Sequence, residues 1–474
     1  MDTRSGLGGA GFGAGESRSM QVSGRAPIPA SGAVAVTLNV TVTEPSGSGF
    51  VTVWPSDRAQ PLASNLNFVA GETIPNFVTV GLGIDGAVKF FSQVGTHLVV
   101  DVVGYFYAGF NPVTPARVMD TRSGLSGFVL GPGETRELQI QGNGGLPATA
   151  FGSVALNVTV TEPTATGFIS VWPTGTERPL ASNLNFTPQE TIPNAVLVGL
   201  GSGGKVSLYN SAGSTNLVVD VAGWFDLGFD AVTPTRLMDT RSGLGGLVLG
   251  PGAARTLHVT GIGGIPTDGV GGVSLNVTVT EPTVAGYLTV WPAGRSRPLA
   301  SNLNFVAGQT IPNAVSTGVN ADGDIEIYNN SGYSHVVVDI TGWYAKSDTE
   351  APQLQSLSWT PSSVNTSAGA QSMTVTARVT DDLSGLDVSF NLNQFEIRFR
   401  SPSSSQFVDA VASNLVSGSA IDCVVSGSMT LPAFAESGVW TVEYVILRDQ
   451  VGNMRFLNSS QLSGSGFPTT FTNN

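Results

Sequence analysis

From Leu38 to Glu44 the chain reads LNVTVTE. In an extended strand this places Leu38, Val40 and Val42 on one face and Asn39, Thr41 and Thr43 on the other. GFVTVWP (Gly49–Pro55) and LVVDVVGYF (Leu98–Phe106) are also apolar, β-branched runs. They predict strands, and the Gly, Pro and Asn stretches between such runs predict turns. No helical pattern separates the strands, which excludes a parallel βαβ architecture.

The pattern occurs three times. LNVTVTEP stands at Leu38–Pro45, Leu156–Pro163 and Leu275–Pro282, and PLASNLNF at Pro61–Phe68, Pro179–Phe186 and Pro298–Phe305. VWP, TIPN and a D-x-x-G-[YW]-[FY] string starting at Asp101, Asp220 and Asp339 recur with the same offset of 118 or 119 residues. Each copy holds roughly seven to nine short strands, the number expected of a two-sheet sandwich or jelly roll. A unit of this length is expected to bury a core without help from its neighbours, unlike a solenoid repeat.

After Gly342–Gln353 the pattern stops, and TVTARVTDDLSGLD (Thr374–Asp387) and ESGVWTVEYVILRDQVGN (Glu436–Asn453) introduce a different β domain. Its D-D-x-S-G turn and closing W-T-V…D-x-x-G-N hairpin resemble a bacterial Ig-like sandwich over Ala351–Leu462. Residues 1–345, with DTR, LNVTVTEP, SNLNF and D-x-x-G-[YW]-[FY] as landmarks, are similar to an uncharacterised tandem repeat of secreted and surface-displayed bacterial proteins. That resemblance implies export and a multi-domain setting beside enzymes or adhesive modules, and supplies no catalytic residue. The expected chain is all-β, with tandem jelly-roll-like sandwiches at 1–108, 109–228 and 229–348, an Ig-like sandwich at 349–462 and a tail at 463–474.

The first copy begins in mid-phrase. MDTRSGL recurs at Met119–Leu125 and Met238–Leu244, where VTPAR (Val113–Arg117) or VTPTR (Val232–Arg236) precedes it. A strand running through these segments is expected to be halved in copy one, leaving an unpaired sheet edge, a template for another chain. Loss of upstream residues, proteolytic maturation, or a strand supplied by a neighbouring molecule would each account for the start. The tail SGSGFPTTFTNN (Ser463–Asn474) loosely matches the missing segment and is a candidate donor for a head-to-tail filament.

Composition narrows the function classes. Charged residues make up 12% of the 474, the net charge is −13 and no basic cluster is present, which disfavours nucleic acid. Cys423 is the sole cysteine, so intrachain disulfides and CxxC metal sites are excluded. No apolar run is long enough for a membrane helix. The Gly-rich, polar first residues do not read as a secretory signal, so export would act on a longer precursor or by another route.

Candidate chemistry is sparse. GLGGAG (Gly6–Gly11) matches a dinucleotide fingerprint, but with no helix after it the string reads as a turn. His97 and His335 sit four residues before the strand aspartates, where copy two has Asn216, so the repeat does not need an imidazole there; His258 stands alone. The TEP glutamates (Glu44, Glu162, Glu281) also recur. The DTR aspartates Asp2, Asp120 and Asp239 and the strand aspartates Asp101, Asp220 and Asp339 are expected to form structural ion pairs with Arg4, Arg122 and Arg241. Trp54, Trp172 and Trp291, with Asn65, Asn183 and Asn302, are the candidate glycan contacts; buried tryptophans and turn-capping asparagines are the structural alternative. The IPN asparagines Asn76, Asn194 and Asn313 carry the same two readings. Asp381, Asp382, Asp387, Asp449 and Asn453 fall at turns whose oxygens would suit Ca²⁺, with ordinary Asx turns as the alternative and no other cofactor expected.

The expected protein is therefore an extracellular or cell-surface rod, structural or adhesive and not an enzyme. Its expected partner is itself, as a homo-oligomer or filament, or a surface glycan. The alternative is a carbohydrate-binding or cell-wall-binding accessory region of a larger secreted enzyme.

Overall fold

The computed structural model describes every residue except 26, 27, 108, 150, 227, 347, 349, 384, 387 and 389–393. The described residues form strands and one short helix, Ser459–Gly464. The chain divides into two units, Met1–Lys346 and Ser347–Asn474.

Copy one contains β1 (Glu16–Gln21), β2 (Ala35–Thr43), β3 (Gly49–Pro55), β4 (Leu66–Phe68), β5 (Ile74–Gly81), β6 (Ala87–Ser92) and β7 (His97–Phe106). They form two antiparallel sheets, ordered β1-β6-β3-β4 and β5-β2-β7. Leu38, Val40 and Val42 join Val51, Val53, Leu66, Val88, Phe90 and Leu98 in a buried core, as the alternation requires. Copies two and three repeat this sandwich with a fourth strand on the second sheet. β8 (Phe110–Asp120) flanks Asn216–Phe225, and Phe229–Asp239 flanks His335–Ala345.

All nine residues of β2 are buried, the polar face included. The reason lies in how the copies pack. Strand β5 touches Ile192–Gly199, that strand touches Ile311–Gly318, and the last returns to β5. Three second sheets thus face one another around a pseudo-threefold axis, and the polar side of β2 is an interface. Two expectations are corrected here: the copies form a closed ring instead of a row in a rod, and each relies on its neighbours to cover one sheet.

The axis is filled in layers. Phe77, Ala195 and Ala314, equivalent in the three copies, pack together. Nearby, Phe106, Phe110, Phe225, Phe229 and Tyr344 interlock, with neighbouring ring centroids 4.7 Å apart at the closest. Aromatic pairs at such separations add to the stabilisation from burial.

The second unit is also a two-sheet sandwich. One sheet runs Gln353–Thr360, Gln371–Thr380, Asp422–Leu431, Asn414–Ser419. The other is built on Gly438–Arg448, paired with Phe395–Arg400, Met454–Asn458 and Thr470–Asn473. Within its core Phe399 meets Trp359 and Phe471 edge-on, and Trp440 stacks on Phe471. This corrects the reading of 463–474 as a free tail: Thr470–Asn473 is a strand of its own sandwich, with Phe471 and Asn473 buried. A segment holding up its own core is not available as a donor to another molecule.

Candidate functional site

The repeated polar residues converge on two places, the axis and the junction between copies. At the axis, Asn76 donates through Nδ2 to Asn157 Oδ1 of the next copy (2.9 Å) and to the main chain of Asn65 (2.6 Å), while its Oδ1 accepts the Ala195 amide (3.1 Å). Asn194 makes the same three bonds to Asn276, Asn183 and Ala314, and Asn313 to Asn39, Asn302 and Phe77. Asn39, Asn157 and Asn276 in turn donate to the carbonyls of Ser301, Ser64 and Ser182 in a neighbouring copy. Every junction thus carries the same three hydrogen bonds. Asn76, Asn194 and Asn313 are each 1% exposed, so an unmade bond there would be costly.

The ion pairs differ from expectation in their partners. Each DTR arginine closes on its own aspartate: Arg4 on Asp2, Arg122 on Asp120 and Arg241 on Asp239. The strand aspartates take a different arginine. Arg117 holds Asp220 at 3.0 and 3.2 Å, and Arg236 holds Asp339 at 2.9 and 3.1 Å, both bidentate. Register shifts bracketing Val118 and Leu237 set Arg117 opposite Asp220 and Arg236 opposite Asp339, as bulges do when they re-aim a side chain. The signal for these arginines was present in the paired strings VTPAR and VTPTR.

Burial pushes the Asp220 and Asp339 carboxyls above the usual range, opposed by the guanidinium bonds. The Asp239 carboxyl goes the other way, to about 2, chiefly through its bonds to Arg241. Its pair therefore adds stability that is complete above the ordinary value of 3.8 and lost as the pH falls toward 2. In denaturant titrations the advantage of the wild type over Asp239→Asn is expected to be on the order of 1–2 kcal/mol at pH 5 and to shrink as the pH approaches 2.

The candidate sugar contacts are used internally. Trp54, Trp172 and Trp291 are buried, their indoles donating to the carbonyls of Arg58, Thr176 and Arg295. The Oδ1 atoms of Asn65, Asn183 and Asn302 accept the amides of Val53, Val171 and Val290. None of the three tryptophans presents a ring face to a pyranose. His97, Asn216 and His335 each bond a DTR threonine hydroxyl, of Thr3, Thr121 and Thr240, which explains why either side chain serves. Glu44, Glu162 and Glu281 are exposed at turns with left-handed φ of 53–54°. Gly6–Gly11 lies in turns with no helix after it.

In the second unit Asp348, Asp381 and Asp449 bring carboxylate oxygens within 4.8 Å of one another. Asp449 Oδ1 accepts the amides of Val451, Gly452 and Asn453, and Asp381 Oδ1 those of Leu383 and Gly385. Asn453 donates to Asp449, Asp382 is exposed outside the cluster, and Asp387 lies outside the described residues. Asp381 Oδ2 is buried without a hydrogen-bond partner, and burial raises that carboxyl's pKa. Among the described residues the cluster gathers three carboxylates, of which Asp381 and Asp449 each use Oδ1 to close a turn; Ca²⁺ takes six to eight oxygens.

The last feature is the outer edge of β7, where copy one departs from its siblings. Asp2 bridges Val99, and the Met1 ammonium donates to the Val100 carbonyl at 2.9 Å; beyond that point no strand among the described residues pairs with this edge. Val102 is 39% exposed, whereas its equivalents Val221 and Ile340 are fully covered. Among the described residues no arginine forms an ion pair with Asp101; burial pushes its carboxyl up, and the charges of the Met1 ammonium and, more weakly, Arg4 offset part of that.

Glycine geometry marks the same place. A Cβ on Gly223 would lie 2.5 Å from the Phe110 ring and 2.6 Å from the Asn111 carbonyl, and one on Gly342 equally close to Phe229 and Asp230. At Gly104 it would meet only the Thr37 hydroxyl, at 3.2 Å. Gly223→Ala is expected to cost ~1–3 kcal/mol by overpacking, and Gly104→Ala at most about 0.5 kcal/mol, as read by denaturant unfolding.

No family model and no curated protein matches this chain. Among solved structures, a chain described under the triple jelly roll fold and turret assembly of an archaeal virus is 12% identical, with 70% of this chain and 82% of that one covered and a TM-score of 0.18. A chain from Sulfolobus Turreted Icosahedral Virus gives 12%, 70%, 83% and 0.19. Superpositions that loose carry no argument about this protein.

Proposed function

We propose that this chain is a structural, non-catalytic component of a bacterial cell surface or secreted matrix, its three-copy body serving as a rigid β-rich platform. The supporting observation is where the repeated polar groups go. The axial asparagines and the tryptophans are bonded inside the body in all three copies, each DTR aspartate is paired with its own arginine, and the strand aspartates are clamped in two. Catalysis needs such groups free to meet a substrate. Three copies spending them on a common frame fit a scaffold better than three active sites. The glycan-binding alternative loses the side chains that motivated it, and the head-to-tail filament loses its donor strand.

The test is antibody labelling of intact cells of the source organism against lysed ones, with the culture medium assayed alongside. Signal on intact cells or in the medium is expected. Signal only after lysis would overturn the surface assignment.

A further inference from the structure

We propose that the outer face of the sheet built on Gly438–Arg448 is a docking site for an extended, neutral polysaccharide. The inference rests on the second unit alone and stands apart from the surface assignment. The two outer faces of that sandwich differ in what they show to water. One, on Gln353–Thr360, Gln371–Thr380 and Asp422–Leu431, exposes Ser358, Thr374, Ser428 and Thr430, the polar covering of a solvated sheet. The other exposes Phe407 (54%), Met454 (52%) and Phe456 (49%). Large apolar side chains left open and gathered on one face mark an interaction site.

The row is continuous across four strands. The Arg398 guanidinium lies 4.3 Å from the Phe407 ring centre and 5.3 Å from that of Tyr444, and the rings of Tyr444 and Phe456 have centroids 5.5 Å apart. Phe407 and Phe456 stand at its two ends, on strands separated by three inter-strand spacings, or about 14 Å. That is the footprint of a short run of sugar rings lying across the strands. Between the ends, Arg398 holds Asp409 at 2.7 Å through two nitrogens, Arg400 holds Glu443 at 2.7 and 3.2 Å, and Glu396 accepts the Tyr444 hydroxyl at 2.7 Å. This composition selects the occupant. A protein partner would have to desolvate two ion pairs in the middle of the contact, where interfaces are depleted of charge. A polyanion would meet arginines already neutralised by carboxylates. A neutral sugar brings hydroxyls that donate to the carboxylates and accept from the guanidiniums, directly or through water, and C–H surface that packs on the open phenylalanines.

The probes are hydroxyethylcellulose, arabinoxylan and galactomannan, each cast into native gels through which the full chain is run, with polygalacturonate as the anionic control. At least one of the three neutral polymers is expected to retard the wild type. Phe407→Ala and Phe456→Ala remove rings that lie outside the core, so both are expected to melt as the wild type does and to bind about tenfold more weakly. Ser358→Ala, on the opposite face, is expected to bind unchanged. Absence of retardation by all three neutral polymers would overturn the proposal, as would retardation by polygalacturonate alone or full affinity in either ring variant. Concentration-dependent self-association that Phe407→Ala abolishes would assign the face to a second copy and overturn it too.

Discussion

Asn194→Ala is expected to lower the unfolding free energy of the three-copy body by ~3–6 kcal/mol, measured by denaturant unfolding at neutral pH. The substitution removes one side of a cross-copy exchange, its donor and its acceptor together, and leaves the other side unpaired. The Ala314 amide loses its acceptor, Asn276 Oδ1 its donor and the Asn183 carbonyl its cap, all at a side chain 1% exposed. Each buried group left unpaired costs about 1–3 kcal/mol, and their proximity keeps the sum below full additivity. Asn76→Ala and Asn313→Ala are expected to fall in the same range, because the bonds are the same around the ring. A loss below about 1 kcal/mol would mean that the junctions are not held by these asparagines.

Arg236→Ala is expected to cost ~3–5 kcal/mol at pH 7, since it strands the Asp339 carboxylate, 1% exposed, without its bidentate partner. The loss has a defined pH dependence. Burial already raises the Asp339 carboxyl above its ordinary value, with Arg236 opposing, so removing the arginine raises it further. A carboxyl with a raised folded pKa favours the fold at low pH and disfavours it as the pH climbs through that value. The deficit of the variant is therefore largest at neutral pH and narrows on acidification as Asp339 takes up a proton. Asp339→Asn placed on Arg236→Ala is expected to recover part of the loss at pH 7, because the stranded charge is gone.

Much of this architecture is legible in the sequence. Alternation in LNVTVTE marks β2 and its core face, and the fixed offset between landmarks marks the three copies. The halved strand before Met1 predicts the three-stranded sheet of copy one, where its siblings have four. What alternation does not reveal is the destination of the other face. Asn39, Thr41 and Thr43 have the polarity of a wet surface, yet they lie in a junction where asparagine amides take the place of water. Polar residues that satisfy one another look the same in sequence as residues that water satisfies.

Partner identity was lost for a similar reason. Asp220 has an arginine two residues after the DTR aspartate and another three residues before it, and nothing in the spacing chooses between Arg122 and Arg117. The register shift at Val118 makes the choice, and a one-residue bulge has no signature in hydrophobic periodicity. The C-terminal FPTTF misled in the opposite sense. Its last two residues, Thr470 and Phe471, open a strand that pairs with Gly438–Arg448 inside its own sandwich.

The central claim is that three copies close into one interdependent body. Hydrogen–deuterium exchange on the intact chain, wild type against Asn194→Ala, tests it most directly. The closed ring predicts that the amides of β5, Ile192–Gly199 and Ile311–Gly318 exchange with a shared opening free energy in the wild type. It also predicts that one substitution lowers protection in all three strands together. Loss of protection confined to Ile192–Gly199 and the neighbouring face of copy three, with copy one unchanged, would show sandwiches that fold independently and would contradict the account.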